Sequence, residues 1–379
     1  MSDLVSLPEI ERAAERIAGV AVRTPLVPFS RDPAPSASGA PALLVKAESL
    51  QPIGAFKLRG AYSAISSLDP QERERGVVTH SSGNHAQAVA YAARALGTRA
   101  VLVMPHTTPG VKVDACIALG AEVVYVEPTS RARAETAGKL AAAHGFTLVP
   151  PYDDARIIAG QGTVGLEIVQ DRPDVDVVLV PVGGGGLISG VSAAVRALRP
   201  EARIVGVEPE LAADARDSMA AGRPVEWAAE ETGRTVADAL RVQRVGDLPY
   251  AHMRAHVDGV ITVTEDEIRQ AMRRLARETR LVAEPGGAVA TAAFLYHRAE
   301  LPEGRTFVSI LSGGNVDPAL FLDVLGPPRG RTVRTGDNLE GPCVPSSSTP
   351  WPGPRSSRSP RGCSRCSGPA GSCSCCWRC

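Results

Sequence analysis

A lysine set among apolar and small residues, Leu50-Gln-Pro-Ile-Gly-Ala-Phe-Lys57-Leu-Arg-Gly-Ala-Tyr62, is the first group in this chain with chemistry to offer. Lys57 reads in two ways. It is a helix-start residue whose stem packs while its ammonium reaches water, or an amine that desolvation keeps unprotonated and ready to attack a carbonyl. Three loops bear on the choice. Ser81-Ser82-Gly83-Asn84-His85 offers hydroxyls and backbone N–H groups at a helix start, which suit a carboxylate. A plain N-cap accounts for one Ser or Asn there, not for the whole run. Gly183-Gly184-Gly185-Gly186-Leu187 lets the backbone wrap an anion ahead of a helix dipole, or forms a tight loop with no ligand. No Gly-Lys-Ser/Thr follows, and Ile188 stands where a dinucleotide fingerprint needs its last glycine. Ser312-Gly-Gly-Asn315 presents a neutral hydroxyl to a flat ligand, or is an ordinary turn. A phosphate cup, a hydroxyl for a ring nitrogen and a lysine amine together meet the needs of one small ligand, pyridoxal 5′-phosphate, with Lys57 as the Schiff-base lysine.

The elements around these loops alternate. Short β-branched runs at 77–80, 100–104, 122–126 and 147–149 are separated by helical stretches at 84–96, 111–119 and 131–144. A second set follows: a run at 175–182, the glycine loop, a helix to Leu198 and a run at 203–207. A helix at 265–279 and a strand at 306–311 come later, and an amphipathic helix spans 7–17. Strands at this spacing, separated by helices and glycine turns, imply parallel βαβ units. The expected class is therefore α/β with two open, mainly parallel sheets. In such sheets ligands sit outside the carboxyl ends of the strands, where all three loops fall.

Phe56-Lys57-Leu-Arg-Gly60, Ser81-Ser-Gly-Asn-His85, the 183–187 loop, Glu284-Pro285 and Ser312-Gly-Gly-Asn315, in this order, resemble the threonine/serine dehydratase and serine racemase family, the tryptophan-synthase-β-like (fold type II) pyridoxal-phosphate enzymes. The resemblance spans about residues 5–325. It implies a large cofactor-binding domain from 1–59 and 151–326, with a smaller lobe, 60–150, inserted. It implies that Phe56, Lys57, Asn84, Gly183, Gly184, Gly185, Gly186, Leu187, Glu284 and Ser312 hold the cofactor, with Asn84 at its 3′-oxygen and Ser312 at its pyridine nitrogen. Ser81, Ser82, Asn84 and His85 would take the substrate carboxylate, and Arg133 falls where some relatives place a substrate arginine. Glu208, Ala212 and Asp214 match the family's divalent-cation site, with carboxylate and carbonyl oxygens that suit Mg²⁺ or Mn²⁺. The activity implied is β-elimination from L-threonine or L-serine. Lys57 would take the α-proton, and Ser82 on the opposite face would act as a second acid/base where racemisation occurs. Serine racemase, threo-3-hydroxyaspartate ammonia-lyase and an inactive cofactor-binding paralogue are the alternatives. The family is usually dimeric or tetrameric. Ile53 and Ala55 depart from the Thr and Ser common beside the family's lysine, and Pro151-Tyr-Asp-Asp154 leans toward the dehydratases.

Composition sets the outer bounds. Lys+Arg and Asp+Glu both number 41, a balance that argues against a generic nucleic-acid or acidic-membrane binder. No signal peptide or bilayer-length apolar run is visible, so the expectation is a soluble, cytoplasmic protein. Only Cys116 precedes residue 340, which excludes a disulfide scaffold or thiolate–metal body. Beyond about 326 the chain turns to Pro, Gly, Ser, Arg and Cys, a composition that cannot offset chain entropy and is expected to be disordered. Such a composition also resembles out-of-frame translation of GC-rich DNA. Cys363-Ser-Arg-Cys366 has zinc-knuckle spacing, but the cysteines after it are irregular. With no folded segment expected beyond 326, feedback by an amino-acid-sensing domain is not expected.

Overall fold

Two sheets carry the strands, and every strand but one runs parallel to its neighbours. The computed structural model describes residues 4–29, 41–81, 83–108 and 110–326. Ser82 and the Cys-rich tail from 327, with its expected disorder and its knuckle-like cysteines, lie outside the described residues.

The larger sheet has the order β1-β2-β10-β7-β8-β9, built from Leu26–Pro28, Ala42–Ala47, Thr306–Leu311, Val177–Pro181, Arg203–Pro209 and Gly259–Val263. Only β1 is antiparallel, pairing Val27 with Val45 at the edge. The smaller sheet has the order β5-β4-β3-β6, from Glu122–Val126, Ala100–Pro105, Val77–Thr79 and Thr147–Leu148, all parallel. Helices cover both faces of the central strands. For that reason β7 and β10 are buried along their whole length and read as continuous apolar runs rather than alternations.

The strands of the larger sheet end at one edge, where β2 leads to the Lys57 loop, β10 to Ser312, β7 to Gly183 and β8 to Asp214. In the smaller sheet, β3 leads to Ser81 and β6 to Val149. The carboxyl ends of six strands thus deliver the candidate residues, as open α/β sheets require.

Three buried elements carry little periodic signal. The helices Ala155–Asp171 and Pro285–Tyr296 are apolar nearly all round, so no polar face announces them, and β2 is interrupted by a buried lysine. Asp154 starts the first of these helices by accepting from the Arg156 and Ile157 amides. That helix then meets its neighbours backbone to backbone. A Cβ on Gly190 would stand 2.3 Å from the Ile158 carbonyl oxygen, and one on Gly160 would stand 2.6 Å from that of Arg59. The helices Lys57–Ser66 and Gly186–Leu198 are therefore both held in close register on Ala155–Asp171. No helix among the described residues is long and apolar enough to cross a membrane.

Candidate active site

Lys57 opens the helix Lys57–Ser66, which has no capping side chain. The loop before it is stitched instead to the loop after β10. The Phe56 amide donates to the Ser312 carbonyl at 3.0 Å, the Gly314 amide to the Gly54 carbonyl at 2.9 Å, and Ala55 bridges Gly313. The Lys57 Nζ donates to the Pro151 carbonyl at 2.7 Å and lies 5.1 Å from the Phe56 ring centroid. Burial pushes its pKa down to about 8, against the opposing pull of the Glu284 carboxylate. Some of its surface still reaches solvent, so the amine is desolvated yet approachable.

A chain of amides ties the remaining loops to this lysine. Asn315 Nδ2 donates to the Ile53 carbonyl and to Asn84 Oδ1, both at 2.8 Å. Asn84 Nδ2 donates in turn to Glu284 Oε1 at 2.7 Å, and the Glu284 amide donates to the Gly313 carbonyl. Glu284 is pushed up to about 7, by burial first and by the Asp238 charge second. Asp238 itself pairs with Lys112 across 3.0 Å, a link between the chain of the smaller sheet and that of the larger.

Asn84 and His85 begin the helix Asn84–Leu96. His85 Nε2 lies 3.0 Å from the Val149 carbonyl, so Nε2 carries the proton and Nδ1 is left a bare, buried acceptor. Burial and the neighbouring Lys57 hold its pKa down to about 3. A neutral ring offering a lone pair does not attract a carboxylate. The imidazole itself therefore has no proton to offer a carboxylate, and a contact at His85 would be made by its backbone amide at the helix start. Ser81 Oγ accepts from the Gly83 amide at 3.4 Å, at the mouth of this helix. Arg133 stands near His80 and Tyr152, each of which feels its charge.

The glycine loop leads into the helix Gly186–Leu198, whose first-turn amides have no intrahelical carbonyl. Gly185 has φ +88°, a left-handed conformation, and a Cβ on Gly184 would stand 2.1 Å from the Tyr152 ring. The Tyr152 ring is thus a ledge against which the cup folds. A phosphate fits the cup's amides and dipole, and the amine fits an aldehyde. Ser312, 5 % exposed, supplies the neutral hydroxyl.

The segment after β6 touches three parts of the site: Val149 holds His85, Pro151 holds Lys57, and Tyr152 backs the glycines. The Asp153 carboxylate accepts from the Asp247 and Leu248 amides. Sequence reasoning named neither Pro151 nor Tyr152 nor Asn315 as site residues. All three stand in motifs quoted above, but a backbone carbonyl such as that of Pro151 has no side-chain signature to name it.

Glu208 and Asp214 form a separate buried cluster. Glu208 accepts from the Ala215 and Arg216 amides at 3.0 and 2.8 Å, while both Asp214 carboxylate oxygens are buried with no hydrogen-bond partner. Burial and the Asp214 charge push Glu208 far up, and burial takes Asp214 to about 7. Ala212 is buried beside them. Among the described residues no three His, Cys, Asp or Glu side chains gather around a metal position. The bare Asp214 oxygens beside the Glu208 carboxylate fit a hard cation that completes its shell with carbonyl or water oxygens.

Comparison with known proteins agrees with this geometry. The family described as "Pyridoxal-phosphate dependent enzyme" matches residues 17–313. The chain is 40% identical over 314 residues to an L-threonine ammonia-lyase of Thermotoga maritima, covering 83% of this chain and 76% of that protein. It is 40% identical over 280 residues to an L-threo-3-hydroxyaspartate ammonia-lyase of Saccharomyces cerevisiae, covering 74% of this chain and 85% of that one. The solved structure of maize serine racemase superposes with a TM-score of 0.79 at 36% identity, covering 85% of this chain and 97% of that one.

Proposed function

The chain belongs to the pyridoxal-phosphate dependent enzyme family, and from that premise we propose that it is an ammonia-lyase for a β-hydroxy amino acid, L-threonine first and L-serine beside it. One observation carries the reading. A desolvated, approachable Lys57 amine is tied through Asn315, Asn84 and Glu284 to the loop that bears Ser312. Bound pyridoxal phosphate supplies a conjugated system that accepts the electrons left at the substrate's Cα when its proton departs.

The chain's own residues do the rest. The 183–187 amides and their helix dipole hold the phosphate, and Asn84, Glu284 and Ser312 fix the ring. Ser312 is a neutral partner and does not keep a proton on the ring nitrogen, which favours loss of a β-leaving group over a persistent carbanion. Ser81, Asn84 and the amides at the start of their helix seat the substrate carboxylate. The Lys57 amine, once displaced, takes the α-proton, and a pKa of about 8 leaves it a useful base near neutrality. Glu208 and Asp214, with the Ala212 carbonyl, take Mg²⁺ or Mn²⁺. Residues 60–150 serve as a smaller lobe beside a larger one from 1–59 and 151–326.

A second reading rests on Arg133, whose charge is felt by His80 and Tyr152 beside the carboxylate loop. A guanidinium there suits a second carboxylate, and so threo-3-hydroxyaspartate. The test is release of 2-oxo acid and ammonia from L-threonine, L-serine, D-serine and threo-3-hydroxyaspartate, with cofactor and Mg²⁺ present. Oxobutyrate from threonine as the fastest product supports the first reading, and preference for hydroxyaspartate, lost in Arg133→Met, supports the second. Silence on all four, with serine interconverting between its enantiomers, replaces both with a racemase.

A further inference from the structure

Directly behind Lys57 lies a buried ionic quartet. Arg59, wholly buried, donates Nε and Nη2 to the two Glu48 oxygens at 2.7 and 2.8 Å, and Nη1 and Nη2 to the two Glu167 oxygens at 2.7 and 2.9 Å. It also reaches Thr163 Oγ1 and the Val22 carbonyl, both at 3.1 Å. Lys46, equally buried, donates to Glu167 Oε2 and to the Thr24 carbonyl, each at 2.6 Å. Thr24 and Gln51 donate to Glu48. The guanidinium thereby spends its donors on β2's end, the helix Ala155–Asp171 and the chain before β1. Two cations and two carboxylates sum to zero.

A polar cluster of this size is costly to bury, and hydrophobic residues of like volume would serve stability as well. Its position suggests what it does. Arg59 sits two residues after Lys57 in a helix with no capping side chain, so the two side chains leave opposite faces of one turn. Lys57 faces the site, where Glu284, neutral His85 and the Pro151 carbonyl meet it, and where Asp238 and Lys112 act on Glu284. Arg59 faces the foundation.

We propose that Arg59, through the quartet Lys46–Glu48–Arg59–Glu167, is the positioning residue of the site: it anchors the turn that carries Lys57 and keeps the charge behind that amine at zero. The proposal rests on Lys57 as the cofactor lysine but not on any choice of substrate. It separates position from charge, and substitutions separate them too. Arg59→Met leaves one net negative charge behind Lys57, which favours the ammonium form. Glu167→Gln leaves one net positive charge, which disfavours it. At roughly one helix diameter and an effective dielectric of about 20, a unit charge moves a titration by about one pH unit. Arg59→Lys keeps the charge and loses the two-sided fork.

The experiment is the rate at which the full-length chain, stripped of cofactor, captures pyridoxal phosphate as a function of pH, read from the visible absorption that appears. The inflection is expected to move to higher pH in Arg59→Met, to lower pH in Glu167→Gln, and back to the wild-type position in the double variant. In Arg59→Lys it stays in place while capture slows at every pH. Lys46→Met and Glu48→Gln carry the same two signs if either first variant does not fold. Folded variants whose inflections stay put, or move in one direction together, overturn the proposal. Wild-type chain that captures no cofactor at any pH removes the lysine assignment, and this inference with it.

Discussion

Each working group at the site is defined by what its neighbours have already taken. Among the described residues Lys57 has one hydrogen-bond partner, a carbonyl, and no carboxylate within hydrogen-bonding reach, so its amine is desolvated without being neutralised by a salt bridge. Lys57→Ala is expected to lower turnover by about 10³-fold or more and to abolish the visible band of the bound cofactor. Retained colour with retained turnover would point to another amine. His85 is fixed in one tautomer by Val149. Its folded pKa, about 3, lies below the ordinary 6.5, so it titrates against the fold. As pH falls through about 6.5 the unfolded chain binds a proton that the folded ring refuses, which costs about 1.4 kcal/mol per pH unit until the folded value is reached. The thermal midpoint should therefore drop more steeply between about pH 7 and 5 in wild type than in His85→Gln. Equal slopes would place the acid sensitivity elsewhere. At this scale the sequence singled out side chains that the structure brings to one place, as with Lys57, Asn84 and Ser312. It was silent where a backbone atom acts, as at Pro151, and it could not give the His85 tautomer, which depends on a carbonyl 64 residues away.

Elements position these groups through contacts too close for any side chain. The cup after β7 depends on Gly184 lying against the Tyr152 ring, so Gly184→Ala must displace that ring or the loop itself. Cofactor affinity in Gly184→Ala is expected to fall by about tenfold or more, measured by titration of the visible band, while the far-ultraviolet spectrum stays unchanged. Unaltered affinity would mean that the ledge has no part in shaping the cup. The glycine run was legible as a cup because glycine is rare in strands and helices and common where backbone approaches an anion. Its ledge was not, since nothing in Tyr152 itself names the residue it leans on. The amphipathic helix 7–17 and the strands 122–126 and 306–311 were readable from period and from β-branched runs, with matching bounds. The helices 155–171 and 285–296 were not, because an element buried on all sides has no period to show.

For the molecule as a whole, the balance of charge is struck in one buried cluster and left open in another. The quartet behind Lys57 is neutral, whereas Glu208 and Asp214 are two buried carboxylates with no salt bridge among the described residues, the Arg216 charge acting on Glu208. Burial holds both pKa values above their unfolded values, so without a metal the pair costs stability at neutral pH, and Asp214→Asn is expected to raise the unfolding midpoint of the cation-free chain. The same variant should lose the further rise that Mg²⁺ gives wild type. A midpoint that falls, or a Mg²⁺ response that survives, would show that the pair is not a cation site. The two-sheet plan was legible from the alternation of strands and helices. The antiparallel edge formed by β1 was not, since a three-residue strand gives too short a pattern. The backbone contacts at Gly60, Gly160, Gly162 and Gly190 also decide how this molecule can move. Packed helices ordinarily slip a little because rotamers change as their surfaces pass, but at Gly160 and Gly190 backbone meets backbone and there are no rotamers to change. A slip of one of the three helices joined there along another is therefore resisted at the turn that carries Lys57, and the cofactor lysine inherits its place from glycines that never touch it.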